Sequence, residues 1–448
     1  MQTSFPTNIL FPLLEAYQGT SIEKNLRSLN ESAWWTKEKL EELQDEKLRR
    51  LVRHAYDNVA YYRRTFDENR IRPEDIRTKE DLEVIPFLTR EDVKKNLTDL
   101  VAKNVPSPQM YKCCSSGSTG EPLKYFLHKD AYSAGWAQAF RCWGWAGYEI
   151  GDPYVKISLL PRKTLMKKTQ DRVMNCFYIY SSEIDEKTLG CYMERIKRFN
   201  PKIIRGYTAH MYVLAKYLEN SGENDFEFPA VMTTGSTLYS HYREAIESQF
   251  GCRVYDCYGG ESTTVAFECD KHEGYHLCSE SVVAEFLKGE RPASAGELAE
   301  VIFTNLDNYA MPLIRYKVND IAVPSKATCS CGRGMPLIKS IEGRDTDIVV
   351  TPERKFLVVE YFAAMLRYVE GIEQFQVVQD DVNHLNIKIV GNERFDEKEG
   401  SKRIIDEIQK EAGKDVKIAV ELVDSIPPSR SGKRRFVISK VPIESAWR

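Results

Sequence analysis

Between residues 20 and 70, apolar side chains return at helical spacing. Leu40, Leu43, Leu48, Leu51, Val52, Ala55 and Val59 fall on one side of a helix, with Tyr56, Tyr61 and Tyr62 on the same stretch. This predicts a helical N-terminal region over residues 20–100. Two capped helix starts are expected inside it. One is Arg72-Pro73-Glu74-Asp75. The other is Thr89-Arg90-Glu91-Asp92, where Thr89 caps and Glu91 and Asp92 complement the first turn. From residue 130 to 250 the pattern alternates. Helices are expected at Asp130–Ala139, Glu186–Arg198, His210–Glu219 and His241–Phe250. Strands are expected at Tyr154–Leu160, Lys202–Tyr207 and Val231–Thr234. Such alternation predicts an α/β fold, with a parallel or mixed sheet and flanking helices. Residues 296–323 read as two further β-rich stretches. Past Arg344 the composition shifts to short strands (Gln374–Val378, Leu385–Val390, Lys417–Leu422) and one helix (Lys402–Glu411). The expected organisation is a large domain over residues 1–343 and a small α+β domain over residues 344–448.

Composition narrows the class. Of the 448 residues, 42% are hydrophobic and 29% charged, an ordinary globular balance with ample length for a core. A formal net charge of −3 gives no general electrostatic case for nucleic acid or for an anionic membrane. No apolar run approaches the roughly 18 residues of a bilayer span. The first residues lack a basic region followed by a cleavage site, so no signal peptide is expected. Eleven cysteines at irregular spacing point to a reducing, cytoplasmic compartment rather than a disulfide framework.

Candidate chemistry sits in loops. Cys114-Ser115-Ser116-Gly117-Ser118-Thr119-Gly120-Glu121-Pro122 interleaves hydroxyls with two glycines, and Lys124 follows. Glycines let backbone N–H groups turn toward an anion, hydroxyls add donors, and the lysine adds charge. Taken alone, the loop fits a polyphosphate cradle or a plain Ser/Gly surface turn. It is not a Walker A loop, because no Gly-Lys-Ser/Thr closes it. Tyr111–Cys114 and Tyr125–Leu127 read as strands of a hairpin around it. In open α/β sheets ligands sit beyond strand ends. That singles out Gly206-Tyr207, Gly235-Ser236, Tyr258-Gly259-Gly260-Glu261 and the segment near Asp320. Asp320 could present its carboxylate to a sugar diol, or pair with Arg315 to tie two strands. Cys269, His276, Cys329 and Cys331 supply three soft sulfurs and an imidazole, the donor set of a structural tetrahedral zinc site. His272 and Cys278 are rival ligands, and free thiols are the plain alternative. The remaining cysteines, among them Cys114 and Cys191, read as small buried hydrophobes. His210 reads as a helix residue or as part of an acid pocket. That pocket is expected to be lined from Trp136–Trp145 and Gly206–Thr237.

Five motifs in order resemble the adenylate-forming superfamily of acyl-CoA synthetases and peptide-synthetase adenylation domains. Its phenylacetate–CoA ligase-like branch, including the CapK group, is the nearest match. They are Tyr61-Tyr62-Arg63 through Leu88-Thr89, the 115–122 loop, Pro312-Leu313-Ile314-Arg315-Tyr316 with Asp320, Gly343-Arg344, and Gly432-Lys433. The resemblance covers nearly the whole chain. It implies an AMP-forming ligase that joins a small-molecule carboxylic acid to the α-phosphate of ATP, then passes the acyl group to an acceptor. Most relatives use a thiol, here coenzyme A; an amine of an amino sugar or amino acid is the alternative. A non-catalytic, zinc-stabilised relative is a third reading, and a homodimer is compatible with each. By the same resemblance, Ser115, Ser116, Gly117, Ser118, Thr119 and Gly120 hold the leaving phosphates. Tyr258 stacks on adenine, and Gly259 and Gly260 let it approach. Asp320 and Arg344 hold the ribose, Glu261 binds Mg²⁺, and Lys433 bridges the substrate carboxylate and phosphate. Gly343–Asp347 would be the hinge. The chain departs from the family order at Glu261-Ser262, where carboxylate and hydroxyl are exchanged, at Asn319 in place of glycine, and at Thr346 in place of an acid.

Overall fold

A computed structural model describes residues 7–114, 123–158, 162–181, 186–222, 226–260, 263–342, 348–366, 369–427 and 435–441. Helices α1 (Thr7–Gln18), α2 (Ile22–Ser32), α3 (Lys37–Asn58), α4 (Ala60–Asn69) and α5 (Arg90–Lys95) make the N-terminal region. The expected helical face is buried at Leu40, Leu48, Leu51, Val52, Ala55 and Val59. Leu43 is only half-buried and Gln44 lies inside instead. The glutamine is tolerated because its Nε2 donates to the carbonyls of Ser279 at 3.2 Å and Val282 at 2.7 Å. Thr89 caps α5 as expected: its Oγ1 accepts from Asp92 N at 3.2 Å, and Asp92 Oδ2 accepts from Thr89 N at 3.0 Å. The other expected start, at Arg72–Asp75, is only a three-residue 3₁₀ turn over Pro73–Asp75.

A hairpin of β1 (Met110–Cys114) and β2 (Lys124–His128) follows, then α6 (Lys129–Trp145). Next come β3 (Tyr154–Ser158), α7 (Leu165–Val173), β4 (Cys176–Tyr180), α8 (Glu186–Phe199), β5 (Ile203–Tyr207), α9 (Thr208–Ser221), β6 (Ala230–Thr234), α10 (Ser240–Phe250) and β7 (Arg253–Gly260). Antiparallel strands complete the sheet: β8 (Thr263–Glu268), β9 (Tyr275–Leu277), β10 (Val282–Lys288), β11 (Arg291–Pro292), β12 (Ala299–Asn305), β13 (Tyr316–Pro324) and β14 (Leu337–Ile341). Together, twelve described strands form one mixed sheet ordered β11-β10-β12-β13-β14-β9-β8-β7-β6-β5-β3-β4, parallel from β7 to β4.

Successive residues of the parallel strands face opposite cores, as pleating requires. Val155, Ile157, Ile204, Val231 and Val254 pack with α8, α9 and α10. Tyr154, Ile203, Met232 and Tyr255 pack with α1, α2 and α6. Covering both faces explains why these strands read as apolar runs rather than as alternating ones.

The N-terminal helices are fastened to the far half of the chain. Tyr62 Oη donates to Pro312 O at 3.0 Å and accepts from Ile314 N at 2.9 Å. Arg315, with φ of 52°, is buried. It donates to Glu285, as close as 2.7 Å, and to the carbonyls of Glu83 and Ile85 at 3.0 and 2.8 Å, with Phe87 against its guanidinium. Its carboxylate is therefore Glu285, and in place of the alternative Arg315–Asp320 tie there is a clamp between β10 and the segment before α5.

C-terminal to the large sheet lie β15 (Val349–Val350), β16 (Phe356–Leu357), α11 (Val359–Leu366), β17 (Ile372–Asp381), β18 (His384–Gly391), α12 (Glu397–Ala412), β19 (Lys417–Leu422) and β20 (Val437–Ser439). Four of these strands form a sheet ordered β19-β18-β17-β20. This sheet packs with α11 and α12 around a core of its own, including Phe362, Phe375, Ile387, Ile404 and Val437. Among the described residues no helix is long and apolar enough to cross a membrane.

Candidate functional site

The parallel strands β5, β6 and β7 lie side by side at Tyr207, Thr234 and Cys257, and β7 runs on to Gly260. Short polar links hold their loops together. Thr208 Oγ1 donates to Ser236 O at 3.0 Å, and Thr234 Oγ1 donates to Gly259 O at 2.9 Å. Gly235 has a φ of 90° and Gly259 of 110°, the left-handed region that favours glycine. At Gly259 the ladder to β8 shifts register, and a Cβ there would run into the carbonyl oxygen of Thr263. Only glycine fits this bulge.

Three strands separate β7 from β13 in the sheet order, yet the sheet curls until they meet. Tyr258 Oη donates to Asp320 Oδ2 at 3.0 Å. Two residues read separately in the sequence, an aromatic platform and a diol-binding carboxylate, thus share a hydrogen bond. Lys124 opens β2 and pairs with Cys114, so the hairpin sets both ends of the 115–122 loop opposite one another. Asn308 anchors the hairpin, accepting from His128 N at 3.0 Å and donating to Phe126 O at 2.9 Å. The loop itself (Ser115, Ser116, Gly117, Ser118, Thr119, Gly120), Glu261, the hinge with Arg344, and Lys433 lie outside the described residues. Behind the ends of β5 and β6, Ala139, Trp143, Arg205, Met232 and Thr233 line a cavity of about 20 Å³. Ala139, Trp143, Met232 and Thr233 belong to the stretches expected to line an acid pocket, and Arg205 does not. His210 does not line the cavity; the imidazole is buried in α9, and burial lowers its pKa to about 4.

The second constellation lies where β8 and β9 meet the 325–336 loop. The ligand atoms of Cys269, His276, Cys329 and Cys331 all lie within 4.8 Å of one another. Cys269 Sγ is 3.5 Å from Cys329 Sγ, and Cys331 Sγ is 3.4 Å from His276 Nε2. The rivals are elsewhere: the His272 ring lies tilted against Tyr255, and Cys278 lies beside Cys142 and Arg141. Burial, helped by the neighbouring Arg333 charge, holds His276 down at about 4, so its imidazole is neutral. Surrounding groups lock the loops in place. Glu273 accepts from Ser330 N at 2.8 Å and Oγ at 2.6 Å. Arg333 reaches Asp270 at 3.3 Å and lies over the Trp145 ring. Of the cysteines expected to be buried, Cys114 and Cys191 are exposed.

One buried group had escaped sequence reasoning. Asp256, two residues before Tyr258, accepts from Thr233 Oγ1 at 2.6 Å and Tyr275 Oη at 2.8 Å. Burial, with the nearby Glu268 charge, raises its pKa to about 7. The available signal was an acid inside the apolar run Val254-Tyr255-Asp256-Cys257-Tyr258.

Against known proteins, residues 349–440 match the CapK C-terminal domain. The match runs from β15 to β20 of the C-terminal unit. The chain is 24% identical over 428 residues to Protein CapK of Staphylococcus aureus, covering 93% of this chain and 91% of that one. It is 25% identical over 406 residues to a phenylacetate–coenzyme A ligase of Thermus thermophilus, covering 83% and 86%. Among solved structures, 2-hydroxyisobutyryl-CoA ligase in complex with its acyl-AMP and CoA aligns with a TM-score of 0.64 at 17% identity, covering 93% of this chain and 92% of that one. The two share one architecture, a large mixed α/β unit with a C-terminal unit.

Proposed function

We propose that the protein activates a carboxylic acid with ATP, releasing pyrophosphate and forming an acyl-AMP, and then transfers the acyl group to the thiol of coenzyme A. The observation that carries this reading is the Tyr258–Asp320 pair at the end of the parallel strands, in a chain related along most of its length to phenylacetate–CoA ligases. Tyr258 supplies a ring for adenine. An ionised carboxylate accepts up to about four hydrogen bonds, so the one from Tyr258 orients Asp320 without exhausting it. The cis-diol of ribose is a matching donor pair. The 115–122 loop, with Lys124 at its foot, takes the phosphates that leave. Gly235 and Ser236 border the nucleotide, with Gly259 and Gly260 leaving room. Arg344 assists at the ribose and Lys433 at the reacting carboxylate. Glu261 would hold Mg²⁺, which screens phosphate charge when bound. The small unit, from residue 344 onward, carries Lys433.

The test is ATP–pyrophosphate exchange across aryl, aliphatic and amino acids, followed by product analysis with CoA or an amine. Exchange that depends on one class of acid, and a thioester with CoA, are expected. No exchange with any acid would end the proposal, and amide product alone would move the acceptor to an amine. Asp320→Ala is expected to raise the KM for ATP by at least about a hundredfold, since two charge-assisted bonds of roughly 1.5–3 kcal/mol are lost. An unchanged KM with a lowered melting temperature would make the Tyr258–Asp320 bond a strand tie only.

The sulfur and imidazole cluster fits zinc. Its donors are three thiols and one neutral imidazole, gathered from two separate segments with no fifth group among the described residues. The metal would close the β8–β9 turn against the 325–336 loop, a structural role. About one zinc per chain is expected from elemental analysis of protein purified without chelator. Cys329→Ser is expected to lose the metal and melt earlier while keeping activity per folded molecule. Metal-free wild-type protein would refute the assignment.

A further inference from the structure

Helix α1 is inside out by the usual rule for surface helices, which puts polar residues outside. Its only charged residue, Glu15, is buried, while Leu13 and Tyr17 are 61% and 77% exposed, with Pro12 and Ala16 exposed beside them. The register is fixed by what lies beneath. Glu15 caps α2, accepting from the backbone N–H groups of Ile22 and Glu23, and Phe11 packs edge-on against Phe140. Turning the helix to hide Leu13 and Tyr17 would uncap α2 and expose Phe11. Helix α7 touches α1 and adds Leu165 and Met166, 78% and 61% exposed. These two are also held outward. Thr164 caps α7, and Arg162 grips Asp171 with bonds of 2.8 and 2.9 Å.

Charge surrounds this apolar ridge. Residues 162–172 carry Arg162, Lys163, Lys167, Lys168 and Arg172 against Asp171 alone, in a chain whose formal net charge is −3. Screening makes the local sign decisive, because charges more than roughly 10 Å away are largely damped at physiological salt. Net acidity of the whole chain therefore does not speak for this face. Exposed aliphatic side chains and an aromatic ring within a cluster of lysines are the features of a surface that enters the headgroup region of an anionic bilayer. A second copy of the chain is a poor occupant, because an isologous contact would set two cationic patches against each other.

We propose that the α1–α7 face docks the protein peripherally on anionic lipid membranes, with Leu13, Tyr17, Leu165 and Met166 entering the interface and the flanking lysines meeting the headgroups. The experiment is flotation of the full chain with vesicles of phosphatidylcholine, with or without phosphatidylglycerol. Binding is expected only where phosphatidylglycerol is present, and it should weaken as salt rises. Lys167→Glu with Lys168→Glu is expected to lower partitioning at least about tenfold, and Leu165→Ser with Met166→Ser by roughly tenfold. Both variants should melt as the parent does and keep ATP–pyrophosphate exchange, since all four side chains are exposed. Absence of binding to phosphatidylglycerol vesicles overturns the proposal, as does binding that both variants retain. A dimer in light scattering that Leu165→Ser with Met166→Ser dissolves would instead make the face a contact between copies.

Discussion

Lys433→Ala is expected to lower acyl-AMP formation by roughly 10²–10³-fold, the loss typical of one donor aimed at charge that develops in a transition state. When a carboxylate attacks an α-phosphate, negative charge gathers from both partners at the reacting centre. An ammonium group between them is worth more in that state than in the ground state, so kcat falls while nucleotide affinity is nearly kept. The measurement is pyrophosphate release with a saturating acid, alongside AMP binding by calorimetry. Release at the parental rate would remove Lys433 from the chemistry. A matched loss of AMP binding would make it a nucleotide-holding group instead. The segment that carries it in the sequence, Ser429-Arg430-Ser431-Gly432-Lys433-Arg434-Arg435, comes shortly before β20.

Glu280→Ala is expected to destabilise the large unit by roughly 3–5 kcal/mol, the usual result of leaving one partner of a buried ion pair alone. The Arg141 side chain has no solvent exposure, and Glu280 has 4%. Arg141 donates to Glu280 Oε1 at 2.5 Å, to Gln138 Oε1 at 2.5 Å and to Leu29 O at 3.2 Å, while Ser32 Oγ donates to Glu280 at 2.7 Å. With the carboxylate gone, a guanidinium stays in a dry core joining α2, α6 and the turn before β10. Replacing both partners with leucine should recover most of the loss, because no charge is then stranded. Urea unfolding of the two variants compares them directly. Equal destabilisation in both would show that packing volume, not the unpaired charge, sets the cost.

Local rules carried much of the architecture. The helical face from Leu40 to Val59, the capping box at Thr89 and the alternation from residue 130 onward each depend on neighbours within a few positions. The grouping of Cys269, His276, Cys329 and Cys331 was readable because thiols and imidazole are rare donors whose clustering has few other uses. What escaped has a common physical origin. Arg315 pairs with Glu285, Tyr258 with Asp320, and Arg141 with Glu280, each across a separation that only the topology sets. Gln44 sits inside because two distant carbonyls need its amide, a fact no helical wheel contains. The α1 register is decided by the N-terminus of the next helix, which Glu15 caps, and hydrophobic periodicity alone would have turned it the other way.

The fastening of the N-terminal helices to residues beyond 279 bears on how the chain emerges from the ribosome. Tyr62 finds its acceptor 250 residues later, and Arg315 closes on carbonyls 230 and 232 residues earlier. At a synthesis rate of about 5–20 residues per second, such a gap lasts roughly 12–50 s. Through much of it, β10 and β13 are missing from the cluster around Leu48, Leu51, Val52 and Phe66, which are fully buried at the end. Helices made early are thus completed late. The nascent chain needs either a chaperone on that apolar face or a loosely collapsed interval before β10 and β13 arrive.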